Sequence, residues 1–255
     1  MVAIQYIDRA PARSANEPGR LLMRAALAAQ EAPSPGGTRP WRWRIDGDRA
    51  ALFEDTRRRT PDDRDGRIAT ISCGASLHHA LVTLAADGAG ASVQRFAADG
   101  DPGLLALVRY TGPAAHRRRT DRLHRAIAVR HTDRRPFADA PLGPGRVAML
   151  RAAAERAGAA LRPLEDPAAW ALPGHPGRYF AVTAPGDSRR DLLIAGEATS
   201  AVLLTAAAAG LVTSVERFAA APHPGAGPAV LLGLGVAGRL GALGVSRGRG
   251  RCPAS

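Results

Sequence analysis

The chain has 255 residues, enough for one large domain or two small ones, and its 45% hydrophobic content suffices for a core without disulfide or metal staples. Its formal charge of +12 rests on arginine alone, since no lysine occurs; this resembles the coding bias of a GC-rich genome, and an anion-attracting surface does not choose among nucleotides, phosphate groups, nucleic acid and acidic lipid. Aromatics make up only 4% of residues, with no zinc-finger or heptad spacing, which ranks nucleic acid well below a small anionic cofactor; two cysteines, Cys73 and Cys252, exclude a disulfide framework, and Asp8 stands where a signal peptide would need an apolar run, so a reducing cytoplasm is expected.

Helical periodicity runs from about Arg20 to Glu31 and stops in a rigid loop, Ala32 to Pro40, whose three prolines and two glycines oppose any regular element. Trp41 to Ile45 and Ala50 to Glu54 flank Asp46-Gly47-Asp48, which is hairpin chemistry. The charged stretch Asp55 to Gly66 reads as a solvated linker. A helix from Ile68 to Ala86 follows, then strands Ala91 to Phe96 and Leu104 to Tyr110, and a basic helix from Arg118 to Val129. Past an extended Arg130 to Phe137 come a helix around Arg146 to Ala157, an uninformative proline-rich Leu161 to Arg178, and a strand Tyr179 to Thr183. Arg189 to Ala209 reads as a long buried helix; its apolar part, Ala198 to Val212, is shorter than the roughly 20 residues of a membrane span. The acid-free end, 239–255, reads as a disordered basic tail.

Ile71 to Phe96 can be laid without a gap over Leu193 to Phe218. Gly74 then falls on Gly196, Thr83 on Thr205, Gly88 on Gly210, Ser92-Val93 on Ser214-Val215, and Arg95-Phe96 on Arg217-Phe218. Alanine-rich composition alone could align two helices, but the matched glycine, Ser-Val and Arg-Phe positions favour duplication. The expected architecture is therefore a pseudo-dimer of two repeats, about 1–129 and 130–238, with a pseudo-twofold interface where a ligand can lodge.

In Arg130-His131-Thr132-Asp133-Arg134, an extended backbone puts Arg130, Thr132 and Arg134 on one face. Two guanidinium forks and a hydroxyl suit phosphate or developing negative charge; a solvated arginine turn paired with Asp133 is the plainer alternative. The Pro33 to Trp41 loop complements this, because prolines stiffen it while Gly36 and Gly37 let main chain approach a flat ligand. Trp41 and Trp43 share a strand face, where one could cover a ring or both could fill a core.

At these positions the chain resembles the nitroreductase superfamily of FMN-binding proteins. The resemblance rests on Arg130-x-Thr132-x-Arg134, on Ala32-Pro33-Ser34 through Pro40-Trp41, and on the helix Ala201 through Gly210-Leu211. It is most similar to the fused, Acg-like branch, in Trp41-Arg42-Trp43-Arg44, Ser72-Cys73-Gly74-Ala75, Arg130 through Phe137, and Gly196-Glu197-Ala198. The resemblance implies an α+β, nitroreductase-like fold, internally duplicated, with antiparallel-rich sheet and long buried helices. It also implies one composite FMN site: Arg130, Thr132 and Arg134 toward phosphate, ribityl and pyrimidine, and Pro33, Ser34, Arg39, Pro40 and Trp41 as the facing wall. Val215 and Glu216 would lie near the reactive nitrogen. The family loop's asparagine and glutamine are replaced by Gly37 and Arg39, and the fused branch's histidine by Gly36. The implied activity is NAD(P)H-dependent reduction of nitroreductase type, as a monomer or homodimer, with flavin sequestration as the alternative and an anion or nucleic-acid binder behind it. Hydride chemistry belongs to the cofactor, so no catalytic side chain is assigned.

Two other signals are set aside. Gly233-Leu234-Gly235-Val236-Ala237-Gly238 matches a dinucleotide-binding glycine pattern, but no acid follows Glu216 to hold a ribose, so a buried strand and loop is expected. Cys73, His78 and His79 lack zinc spacing, and Cys73 reads as a buried packing residue.

Overall fold

The computed structural model describes residues 7–9, 17–96, 101, 103–115, 118–131, 142–164, 166, 179–220 and 229–236. The expectations for Thr132, Arg134 and the basic tail lie outside the described residues. Two 20-residue helices, α2 (Arg67–Ala86) and α5 (Arg189–Ala208), form the centre and pack against each other. Both are apolar around their whole circumference, which is the composition of a helix covered on every side. By length and composition each could cross a membrane, and each is mostly buried inside the fold.

The two helices approach closely because both carry glycine at the crossing. A Cβ on Gly74 would lie 2.0 Å from the Leu193 carbonyl oxygen, and one on Gly196 would lie 1.8 Å from that of Ile71. The contact is reciprocal in the alignment above, since Gly74 matches Gly196 and Ile71 matches Leu193.

A sheet stands on either side of this helix pair. The first has the order β1-β2-β3-β5-β4, built from β1 (Ile7–Arg9), β2 (Trp41–Asp46), β3 (Arg49–Glu54), β4 (Ala89–Arg95) and β5 (Leu104–Pro113). All its pairings are antiparallel except β1 with β2. The second has the order β6-β7-β9-β8, from β6 (Ala160–Pro163), β7 (Tyr179–Thr183), β8 (Val212–Ala220) and β9 (Ala229–Gly235), antiparallel throughout. Setting β1 aside, both sheets place their strands in the chain order first, second, fourth, third. Helix α1 (Glu17–Ala28) packs on α2 as α4 (Pro144–Arg156) packs on α5, and α3 (Arg118–Val129) touches both central helices. The architecture is mixed helix and antiparallel sheet, as expected, and β9 takes up Gly233, Leu234 and Gly235, the first three residues of the glycine pattern that had been set aside.

Period-two burial decides the tryptophan question. Trp41, Trp43 and Ile45 point inward on β2, while Arg42 and Arg44 lie 4.7 and 4.9 Å over the Phe53 ring. Each indole is satisfied inside: Trp41 Nε1 donates to Gln30 Oε1 at 3.3 Å and Trp43 Nε1 to Ser76 Oγ at 3.1 Å.

Two expectations need correction. The charged stretch from Asp55 to Gly66 is not merely solvated: Asp63 is buried and accepts from the Ile68 and Ala69 amides at 2.9 and 2.8 Å, satisfying the open amino end of α2. The proline-rich Leu161 to Arg178 contains most of β6, which ends at Pro163 on a sheet edge, where proline costs no ladder bond.

A polar seam runs between the central helices. His78 and His79 Nδ1 lie 2.8 and 2.9 Å from the Ser200 hydroxyl of α5, and the buried His79 Nε2 has no partner among the described residues. Burial pushes His78 down to about 4 and His79 to about 3, so both rings are neutral at pH 7.

Candidate functional site

The loop between α1 and β2 is shaped by its own hydrogen bonds. A short 3₁₀ turn, Pro35–Gly37, closes through the Gly37 amide to Ser34 O at 3.1 Å and the Thr38 amide to Pro35 O at 3.0 Å. The Arg39 amide donates to Ser34 Oγ at 3.0 Å, and this holds Arg39 at φ 49, a conformation costing about 1–2 kcal/mol for a residue with a Cβ. Gly36 and Gly37 take φ values of 56 and 69 without penalty, and no atom stands within 4 Å of either missing Cβ.

This loop forms one wall of a cavity of about 450 Å³. Ala32 to Gly37 and Arg39 line it from the first half of the chain; Arg130, just beyond α3, and Val215 and Phe218 of β8 line it from the second. Its volume lies within the roughly 300–1,000 Å³ usual for small-molecule sites.

Arg130 is the chemically informative group. Its guanidinium donates to the Glu31 carbonyl at 3.3 Å, while its buried Nε finds no acceptor among the described residues. Burial pulls its pKa below the ordinary arginine value, with the charge of Glu31 opposing. A guanidinium in this position gains from any anionic oxygen that enters. Arg39 adds a second cation, and neither arginine has a carboxylate partner among the described residues.

Of the site residues named from sequence, Pro33, Ser34, Arg39, Arg130 and Val215 come together around this cavity. Pro40 and Trp41 do not. Pro40 is buried, and its carbonyl accepts from the Asp55 amide at 3.1 Å and the Cys73 thiol at 3.2 Å. Trp41 is wholly buried on the core face of β2, so it supports the wall from behind and offers no ring surface. The strand period that pairs Trp41 with Trp43 turns both inward. Glu216 is exposed, accepts from the Ser214 hydroxyl, and sits in an irregular step of β8 between Val215 and Arg217; it does not line the cavity. Gln30 and Phe218 also line the cavity. Phe218 carried a signal in the Arg-Phe pair of the repeat; Gln30 carried none.

Cys73 is fully buried, and burial pushes its thiol well above the ordinary value, which removes it as a nucleophile. Among the described residues no three His, Cys, Asp or Glu side chains are grouped to hold a metal.

The fold and the cavity define an α+β protein with two sheets flanking a helix pair and a cationic slot bounded by both halves of the chain. Comparison with known proteins gives that class its relatives. Over 123 residues, 46% of this chain, it is 42% identical to the Mycobacterium tuberculosis protein named "Putative NAD(P)H nitroreductase acg". Over 136 residues, 52% of the chain, it is 39% identical to "Putative NAD(P)H nitroreductase Rv3131" of the same organism, and over 128 residues, 48% of the chain, 37% identical to its "Uncharacterized protein Rv3127". The resemblance to the nitroreductase superfamily is thus one of direct sequence identity across about half the chain. The matches span 36%, 39% and 37% of these relatives' own lengths. No protein-family model matches the chain.

Proposed function

We propose that this protein is an FMN-binding, nitroreductase-like oxidoreductase in which a duplicated chain keeps one composite flavin site. The observation that carries the reading is the buried Nε of Arg130, without an acceptor among the described residues, on a side chain that lines the same cavity of about 450 Å³ as Gly36 and Gly37. The relatives named as NAD(P)H nitroreductases support the reaction class. Support for duplication comes from the reciprocal Gly74 and Gly196 contacts and from the shared strand order of the two sheets.

The residues present fit a planar anionic ligand. Arg130, with Thr132 and Arg134 from the same motif, would hold the phosphate and pyrimidine oxygens, and Arg39 would add charge at the opposite wall. Gly36 and Gly37 leave that wall as bare main chain, and Val215 and Phe218 supply apolar cover. When bound, the flavin supplies hydride acceptance and return, with NAD(P)H as the reductant. The protein's share is to fix the ligand, exclude water and place cationic groups where negative charge develops. Glu31, Arg39 and Arg130 are the only ionisable side chains lining the cavity among the described residues.

The visible spectrum of the purified chain titrated with FMN tests the reading. A bound-flavin spectrum is expected, with affinity falling at least tenfold in Arg130→Met. A colourless protein that fails to take up FMN, or an Arg130→Met variant with unchanged affinity, overturns it. Flavin sequestration is the second reading, and NAD(P)H oxidation at saturating FMN separates the two: turnover marks an oxidoreductase, flavin retention without turnover a store.

A further inference from the structure

A second cleft, of about 410 Å³, lies between α3 and α4 and is floored by the carboxyl end of α5. Its mouth carries Arg119, Arg122 and Arg156, and its walls are apolar, chiefly Leu123 and Met149. None of the three arginines has a carboxylate partner among the described residues. Burial, and after it the charge of Arg156, push Arg119 below its ordinary value.

The floor supplies an independent sign of a ligand. Thr205 is 8% exposed and its hydroxyl has no hydrogen-bond partner among the described residues. Thr83, the matching position of the other central helix, donates to the His79 carbonyl at 3.0 Å and also lies 3.3 Å from His124 Nδ1. One hydroxyl is satisfied inside the fold; its counterpart, on a residue that lines the cleft, has no partner among the described residues. The negative end of α5 would repel an anion, but its carbonyls are engaged: the Gly210 amide donates to Ala207 O and the Leu211 amide to Ala206 O, both at 3.0 Å.

We propose that this cleft binds an amphipathic carboxylate, its head held by Arg119 and Arg156 and its apolar body lying against Leu123 and Met149. The Thr205 hydroxyl donates to the ligand at the floor. The site is separate from the Arg130 cavity, since Arg119 and Arg130 stand at opposite ends of α3, roughly 16 Å apart along its axis.

Isothermal titration of the full chain with sodium octanoate tests the proposal, with inorganic phosphate and 1-octanol as controls. Saturable one-to-one binding of octanoate is expected, at least tenfold tighter than either control, weakened at least tenfold in R119A/R156A and about threefold in Thr205→Val. Arg130→Met should leave it unchanged. No saturable octanoate binding overturns the proposal, as does unaltered affinity in a double variant whose circular dichroism matches the parent. Phosphate binding as tightly as octanoate reduces the cleft to an adventitious ion site, and loss of octanoate binding in Arg130→Met transfers the ligand to the other cavity; either outcome refutes the assignment.

Discussion

Replacing either crossing glycine with alanine probes the centre of the fold. The added methyl of Gly196→Ala meets the Ile71 carbonyl at 1.8 Å and that of Gly74→Ala meets the Leu193 carbonyl at 2.0 Å, against an ordinary contact of 3.4 Å or more. Both obstacles are helix backbone, so no side chain can rotate away and the helices must separate by well over 1 Å. Even a gap of about 0.5–1 Å forfeits a quarter to a half of each dispersion contact along the seam. Alanine recovers about 1 kcal/mol through helix propensity, and the net loss per variant should still reach about 3 kcal/mol. The two losses should be similar, because the contacts are reciprocal. They should also be sub-additive in the double variant, by about 1–3 kcal/mol, because one separation relieves both clashes. Urea denaturation followed by tryptophan fluorescence measures all three. A single-variant loss below about 1 kcal/mol, or additivity within about 0.5 kcal/mol, refutes the reasoning.

Three further outcomes are expected. Neutral His78 and His79 contribute stability that is fully present above the ordinary value of 6.5 and is lost as pH falls towards about 4 and 3. At about 1.36 kcal/mol per pH unit, His78 alone accounts for about 3 kcal/mol over that interval, partly offset by Glu197, whose carboxyl burial raises; urea midpoints between pH 7 and 4 should fall, and less steeply in His79→Gln. Asp63→Ala exposes two amides of α2 and should cost about 1–2 kcal/mol in the same assay, with Asp63→Asn recovering part of it. Ser188→Ala breaks the capping box with Asp191 at the start of α5 and should lower stability by about 1 kcal/mol, read as a lower thermal midpoint.

Regular elements were legible wherever periodicity was strong. The hairpin about Gly47, both central helices and Tyr179–Thr183 stand within a few residues of their expected bounds, because a strict period of 2 or an unbroken apolar run leaves few alternatives. Asp63 was not legible, because whether a carboxylate in a charged loop is solvated or turned back onto a helix end depends on a turn that sequence does not specify. Trp41 shows a different limit: a strand pattern says which residues share a face, and only the sheet's packing partner says whether that face meets a ligand or a core. The Arg39 backbone, held at positive φ by the Ser34 hydroxyl, is likewise a product of tertiary closure and has no signature in residue type.

The glycine crossing also bears on how the protein could be re-engineered. A seat of main chain against main chain has no shims: it can be widened by adding carbon but never narrowed by removing it. The separation of the two halves therefore stands at a lower stop. Efforts to grip a smaller guest will find their useful changes in the Ala32 to Arg39 rim rather than in the central helices.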